Sequence, residues 1–254
     1  IMVVIGKKNL SQSLHLVFTG NPGTGKTTVA RIIGKLYHSI GVLKKDTFVE
    51  VDRSDLVAGY IGQTGPKTLE KLEEAKGGVL FIDEAYSLAS ENISFQDFGK
   101  ESISTILKFM EDHRDEICII VAGYEKEMSK FIESNPGLQS RFSQTIHFED
   151  YSEGELVEIF NKLATDADYK LDEKAHSLIS EKINNLKKIR GDKFSNGRDI
   201  RNLLEHMTRA HADRLQQRLA ENNNSKQKHQ EEDLVIFRME DIIAGLESLS
   251  KNWK

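Results

Sequence analysis

The sequence predicts an α/β fold in which a doubly wound parallel sheet is followed by a small helical domain. Short apolar segments rich in Val, Ile and Phe alternate with amphipathic stretches over the first 150 residues. Strands that are buried on both faces have this composition, and their alternation with helices is typical of a parallel sheet. After about Tyr151 the helical period dominates. We therefore predict an α/β domain over residues 1–150 and a helical domain over residues 151–254.

The predicted elements follow in chain order. Strands are predicted at 14–19, 47–51, 79–83, 117–122 and 145–148, with helices at 27–37, 67–75, 101–111 and 125–132. In the second domain, amphipathic helices are predicted around 156–163, 178–186, 200–207 and 240–249. The polar stretch 221–233 is predicted to be a mobile loop.

Composition narrows the functional classes. The net charge of −5 among 254 residues gives no support to a nucleic-acid partner, which needs a basic surface. The single cysteine, Cys118, cannot form an internal disulfide and fits a reducing, cytoplasmic compartment. No apolar run approaches the ~18 residues of a membrane helix, so no membrane insertion is expected. The chain begins with Ile1 rather than Met, and we expect it to be part of a longer protein.

A phosphate-binding loop is predicted between the first strand and the first helix. The segment Gly20-Asn21-Pro22-Gly23-Thr24-Gly25-Lys26-Thr27, followed by Thr28, fits the spacing G-x-x-x-x-G-K-[ST]. Its glycines let backbone N–H groups turn toward phosphate oxygens, and the following helix adds its positive N-terminal dipole. Lys26 can reach the β- and γ-phosphates of ATP, and the Thr27 hydroxyl can bind Mg²⁺.

A pair of carboxylates ends the third predicted strand. Asp83 follows the apolar run 79–82, at the strand end where open α/β sheets bind ligands, and can hold Mg²⁺. Glu84 comes next and can polarise the attacking water. The pair therefore predicts ATP hydrolysis as well as ATP binding.

These two motifs resemble the Walker A and Walker B motifs of AAA+ ATPases. The segments 13–28, 55–62, 77–86 and 135–142 further resemble the CbxX/CfxQ family, over about residues 13–210. The resemblance implies a P-loop NTPase fold with a helical AAA+ lid, and a homo-oligomer, expected to be a hexamer, with ATP at the subunit interfaces. It also implies a chaperone-like motor that remodels a client protein.

The same resemblance assigns further residues. Arg141 occupies the position of an arginine finger, which would stabilise charge on the γ-phosphate of a neighbouring subunit. Relatives often carry a second basic residue where this chain has Gln139. Arg198 resembles the sensor 2 arginine of the lid, with Asn196 as the predicted helix N-cap and Arg201 able to assist. Tyr60 and Ile61, between two glycines, resemble a pore loop, whereas packing on their own domain is the alternative.

Two features are left open. In many AAA+ proteins a polar sensor 1 residue follows the fourth strand; here Tyr124 stands after that strand, and it serves either as a sensor or in packing. Family members also carry an adenine-contacting segment upstream of the phosphate loop, and residues 1–12 contain nothing similar. We therefore expect the adenine side of the pocket to be incomplete within this chain.

Other functions compete with a remodelling motor. A P-loop kinase or an ATP-dependent regulatory switch would need neither an arginine finger in trans nor a pore loop. A GTPase is disfavoured because the stretch Asn161-Lys162-Leu163-Ala164 lacks the Asp of the guanine motif. The acidic balance disfavours DNA remodelling, and Glu84 disfavours binding without hydrolysis. The motifs do not select a client protein.

Overall fold

The computed structural model describes residues 13–89, 98–222 and 234–251. The chain divides into two compact units, Ile1–Asn21 with Gly25–Glu149, and Pro22–Thr24 with Asp150–Lys254. Within the described ranges, no helix combines the length and apolar character needed to cross a bilayer. The expected absence of an adenine segment in residues 1–12, and most of the loop predicted at 221–233, lie outside the described residues.

The first unit is built on a parallel five-stranded sheet, as predicted. Its strands are β1 (Leu16–Gly20), β2 (Phe48–Val51), β3 (Val79–Ile82), β4 (Cys118–Gly123) and β5 (Gln144–Phe148), in the order β2-β3-β4-β1-β5. Ile82 lies opposite Val121, and Thr19 lies opposite Gly123, so the carboxyl ends of the central strands share one edge. Successive side chains of a strand point to opposite faces of the sheet, so Val17 and Phe18 lie in two separate buried clusters. Both faces of the sheet are therefore covered.

The helices of the first unit lie between these strands. They are α1 (Lys26–Ser39), α2 (Arg53–Leu56), α3 (Thr64–Ala75), α4 (Phe98–Asp112), α5 (Glu125–Glu133) and α6 (Pro136–Arg141), with a 3₁₀ helix at Ala85–Ala89. α2 and α6 were not predicted because each is too short to show a helical period. Local capping explains both: Asp52 forms a capping box with Asp55, and Asn135 accepts a hydrogen bond from the N–H of Gly137.

The second unit is mainly helical. It contains α7 (Glu153–Asp166), α8 (Glu173–Arg190), a 3₁₀ turn at Gly191–Lys193, α9 (Asn196–Asn222) and α10 (Met239–Lys251). Two short strands that the sequence did not predict, β6 (Lys170–Leu171) and β7 (Ile236–Phe237), pair in parallel. Wholly buried side chains such as Phe160, Ile183 and Met207 form its core.

Candidate functional site

The phosphate-binding loop lies at the carboxyl edge of the sheet. β1 ends at Gly20, whose φ is +140° and where a Cβ would stand 2.3 Å from the carbonyl oxygen of Phe148. α1 begins at Lys26, after Gly25 at φ +92°, and has no acidic residue in its first turn. The positive end of its dipole is therefore available to an anion. Lys26 Nζ donates to the carbonyl oxygens of Gly20 and Asn21, each at 2.8 Å. These bonds hold the ammonium group at the loop.

Three residues of the loop, Pro22–Thr24, belong to the second unit. Within that unit their carbonyl oxygens accept from the Asn196 side-chain amide (3.3 Å), the Gly197 N–H (3.1 Å) and the Tyr151 hydroxyl (3.1 Å), respectively. Gly23 has φ +73°, and a Cβ there would stand 2.1 Å from the carbonyl oxygen of Ser195. Only glycine fits this position without strain.

The predicted N-cap of α9 was wrong. Asn196 has φ +46°, outside the helical region, and its Oδ1 accepts from the N–H of Tyr151 at 3.1 Å rather than from the first turn of α9. Asp199 supplies the capping bond instead, because its Oδ2 accepts from the N–H of Ser195 at 2.8 Å. Arg198 and Arg201 are exposed on the first turns of α9.

Asp83 and Glu84 directly follow β3, all of whose side chains are buried. The Asp83 N–H donates to the carbonyl oxygen of Val51 at 2.9 Å, which fixes the chain at the end of the ladder. Glu84 has φ +47°, an uncommon conformation for a residue other than glycine, and its N–H donates to Asp83 Oδ1 at 3.0 Å. Its side chain is exposed, whereas Asp83 is half-buried. The strained turn presents the second carboxylate to solvent.

The residues at this edge fit a magnesium site. β4 alone separates β3 from β1, so Asp83 and the phosphate loop start roughly 10 Å apart, two strand spacings. Mg²⁺ prefers oxygen ligands and takes only one or two from protein, filling the rest with water and phosphate oxygens. The Thr27 hydroxyl and the Asp83 carboxylate are oxygen donors of this kind. Among the described residues, no three His, Cys, Asp or Glu side chains gather as a protein-only metal site.

Arg141 ends α6 and is held by its own unit. Its Nη2 lies 2.8 Å from Glu111 Oε2, and its Nη1 donates to the carbonyl oxygen of Gly137 at 3.3 Å. Glu111 also accepts a hydrogen bond from Arg114, and the pKa of Glu111 is lowered, first by Arg114 and then by Arg141. About a quarter of the Arg141 side chain, 26%, remains exposed.

Tyr60 and Ile61 lie at the tip of the loop between α2 and α3. Both residues are largely exposed, Tyr60 at 74% and Ile61 at 73%. Among the described residues other than the chain neighbours, no heavy atom lies within 4 Å of a Cβ built at Gly59 or Gly62, the two glycines that flank them. The tip of the loop is therefore exposed on the part of the chain that the structure describes, and its role stays a prediction.

Tyr124 packs near a second tyrosine that sequence reasoning missed. Its ring centroid lies 6.2 Å from that of Tyr86, and Tyr124 is 38% exposed. Burial, followed by the nearby Glu84 carboxylate, raises the pKa of Tyr86 to about 12. A Cβ at Gly123 would stand 2.7 Å from the Tyr86 ring. The absence of a side chain at Gly123 therefore makes room for Tyr86, two residues after Glu84.

Comparison with known proteins places two family profiles on the chain. The profile described as the ATPase family associated with various cellular activities (AAA) matches residues 16–150, and the AAA lid domain profile matches residues 152–252. The solved structure of the FIGL-1 AAA domain superposes with a TM-score of 0.59 over 92% of this chain and 70% of that one. At 16% identity, this likeness concerns the fold alone.

Curated relatives are more similar in sequence. Stage V sporulation protein K of Bacillus subtilis is 48% identical over 211 residues, and protein CfxQ of Xanthobacter flavus is 46% identical over 203. The alignments cover 83% and 80% of this chain, but the chain spans only 65% and 63% of those two proteins. The CfxQ homolog of Galdieria sulphuraria is 40% identical over 240 residues, 93% of this chain and 76% of that protein.

Proposed function

The chain belongs to the CbxX/CfxQ family of AAA ATPases, and on that premise we propose that it hydrolyses ATP to remodel a client protein. The hydrolysis proposal rests on the position of Glu84. It stands directly after the proposed Mg²⁺ ligand Asp83, exposed, on the same sheet edge as the phosphate loop. A carboxylate there can accept a proton from the water that attacks the γ-phosphate.

Each residue of the site has a proposed role. Residues 20–28 bind the phosphates through backbone N–H groups and the Lys26 ammonium, while the Thr27 hydroxyl and Asp83 hold Mg²⁺. When bound, Mg²⁺ neutralises charge that develops on the phosphate oxygens. Arg198 binds phosphate as the sensor of the lid. Arg141 acts in trans, on ATP bound by the neighbouring copy in a homo-oligomeric ring, proposed to be a hexamer.

The loop of Tyr60 and Ile61 is the proposed contact with the client. Two large apolar side chains exposed between open glycines can grip an extended polypeptide by burying apolar area on contact. In a ring, one such loop from each subunit would face the channel. The client is proposed to be a protein and the compartment to be the cytoplasm; a nucleic-acid partner is not expected, given the net charge of −5.

Phosphate release by the Glu84→Gln variant tests the hydrolysis proposal. Glutamine keeps the size of the side chain but cannot accept the proton, so ATP binding should persist while turnover falls by ~10²-fold or more. The matched control is Glu70→Gln, an exposed glutamate on α3, which should turn over ATP at the wild-type rate. Equal phosphate release by the Glu84→Gln and wild-type proteins would remove Glu84 from its role.

A further inference from the structure

The loop that carries Tyr60 and Ile61 is free at its tip but fixed at its base. Thr64 Oγ1 accepts from the N–H of Ala58 at 3.1 Å. Lys67 Nζ donates to the carbonyl oxygens of Ser54 (2.6 Å) and Val57 (3.1 Å), and Thr68 Oγ1 donates to that of Leu56 (2.9 Å). These bonds join α2 to the start of α3. A displacement of α2 therefore carries the whole loop base with it.

α2 is tied in turn to the segment that follows the catalytic carboxylate. Arg53, the first residue of α2, donates from Nη1 to the carbonyl oxygen of Ser87 in the 3₁₀ helix. The Ser87 N–H donates to the carbonyl oxygen of Glu84 at 2.9 Å. A short chain of bonds thus runs from Glu84 through Ser87 and Arg53 to the loop base. Arg53, Gly59, Asp83 and Glu84 line the same groove.

Helix α4 comes close to Arg53 at Gly99. A Cβ at Gly99, on α4, would stand 3.0 Å from Arg53 Nη1 and 2.0 Å from the carbonyl oxygen of Leu88. The glycine therefore lets α4 approach the 3₁₀ helix and the arginine closely. Because the bond to Ser87 is charge-assisted, the two elements move together more readily than they separate. A shift of the turn at Glu84 is thereby passed to α2.

We propose that Arg53 is a positioning residue that couples the nucleotide state at Asp83 and Glu84 to the loop of Tyr60 and Ile61. The inference rests on the proposed function, in which Glu84 accepts a proton from the water that attacks ATP and the loop contacts the client. Arg53 itself touches neither, and the sequence motifs did not single it out. Its contribution is the link between two elements separated by 34 residues in sequence.

A fluorescent reporter on the loop can test this coupling. Ile61→Cys places a reactive thiol at the exposed tip, whereas Cys118 is buried and its pKa is raised to about 12, so it will not compete for a thiol reagent at neutral pH. The measurement is the change in emission of an environment-sensitive label between ADP and a non-hydrolysable ATP analogue. This emission change is measured in labelled protein that is otherwise wild type and in labelled Arg53 variants, and the two are compared.

In Arg53→Gln most of the emission change should be lost, while ATP affinity stays within about twofold. Arg53→Met, which keeps the aliphatic stem, should behave in the same way and serves where the glutamine variant does not fold. Arg53→Lys restores a cationic donor and should recover most of the change. Arg31→Gln, which removes an arginine bonded to Glu50 instead, should leave it intact.

The outcomes separate the two proposals. An undiminished emission change in folded Arg53→Gln or Arg53→Met overturns the coupling role of Arg53 and leaves the ATPase proposal standing. The coupling role is also overturned if the labelled protein with Arg53 intact binds and hydrolyses ATP but its emission does not differ between the two nucleotides. Failure of the unlabelled protein to bind ATP overturns the proposed function, and this inference with it.

Discussion

Two polar regions of the molecule use the same kinds of side chain in opposite settings. At the carboxyl edge of the sheet in the first unit, Lys26 and Asp83 are half-buried and Glu84 is exposed. In the second unit, we define the lid cluster as His211, Arg214 and Asp241, whose side chains are only 3%, 11% and 1% exposed. The charged groups at the sheet edge remain accessible to a ligand, whereas those in the lid cluster pair with one another and stabilise the packing of helices.

The geometry of the lid cluster explains its role. Arg214 binds Asp241 bidentately, with Nε 2.8 Å from Oδ1 and Nη2 2.9 Å from Oδ2, and Nη2 also reaches the carbonyl oxygen of Ile236 at 3.1 Å. The N–H of Arg238 donates to Asp241 Oδ2 at 2.8 Å. The cluster thus joins α9, β7 and the start of α10. Such a pair is costly to break because one charge is then left buried without its partner.

The largest expected effect on stability follows from Asp241→Ala. The substitution leaves the buried Arg214 guanidinium without its carboxylate, and should lower the free energy of unfolding by about 3–5 kcal/mol. Urea unfolding measures the loss, and ATP turnover per folded molecule should stay unchanged. Asp213→Ala, an exposed aspartate on α9, is the control and should stay within ~0.5 kcal/mol. If Asp241→Ala lowered ATP turnover but left the free energy of unfolding unchanged, the structural role of the lid cluster would be contradicted.

A buried histidine beside Arg141 extends the comparison to the first unit. His15 is 4% exposed, its Nδ1 accepts from the N–H of Ile119 at 3.1 Å, and burial followed by Arg141 lowers its pKa from 6.5 to about 4. Between pH 6.5 and about 4 the unfolded chain binds this proton and the folded protein does not. Stability is therefore lost as the pH falls from 6.5 toward 4, by about 3 kcal/mol for this group.

The His15→Asn variant isolates that contribution. Its Oδ1 can replace the Nδ1 acceptor but does not titrate, so the variant should lose about 3 kcal/mol less than wild type between pH 7 and pH 4. Unfolding free energies at the two pH values provide the measurement. An identical loss in both proteins would show that the acid sensitivity arises elsewhere.

The smallest expected effect concerns an exposed ion pair in the same unit as the lid cluster. Lys162 Nζ lies 3.2 Å from Asp166 Oδ2 on α7, with side chains 75% and 58% exposed. Asp166→Asn should change the free energy of unfolding by no more than ~0.5 kcal/mol, because water screens the pair. A loss near that of Asp241→Ala would mean that burial does not decide the difference between the two settings.

Sequence reasoning predicted the sheet correctly, and it could single out candidate site residues where they are contiguous. The phosphate loop and the Asp83-Glu84 pair are short local patterns, and the strands are uninterrupted apolar runs. The lid cluster could not be predicted from the sequence, because Arg214 and Asp241 lie on different helices and are 27 residues apart in the chain. The Asn196 cap failed for the same reason, since Tyr151, 45 residues away, takes the side-chain oxygen. The roles of Arg141 and Arg198 come from resemblance and stay predictions.

The central claim is that one ATP site is completed by two copies of the chain, and a mixing experiment tests it most directly. Arg141→Ala should lose ~10³-fold in turnover, and Glu84→Gln is inactive for a different reason. In mixed rings, Glu84 of one variant meets Arg141 of the other, so equal amounts should regain up to roughly a quarter of the wild-type rate. Turnover no greater than the average of the two separate variants, in rings shown to exchange subunits, would contradict the claim.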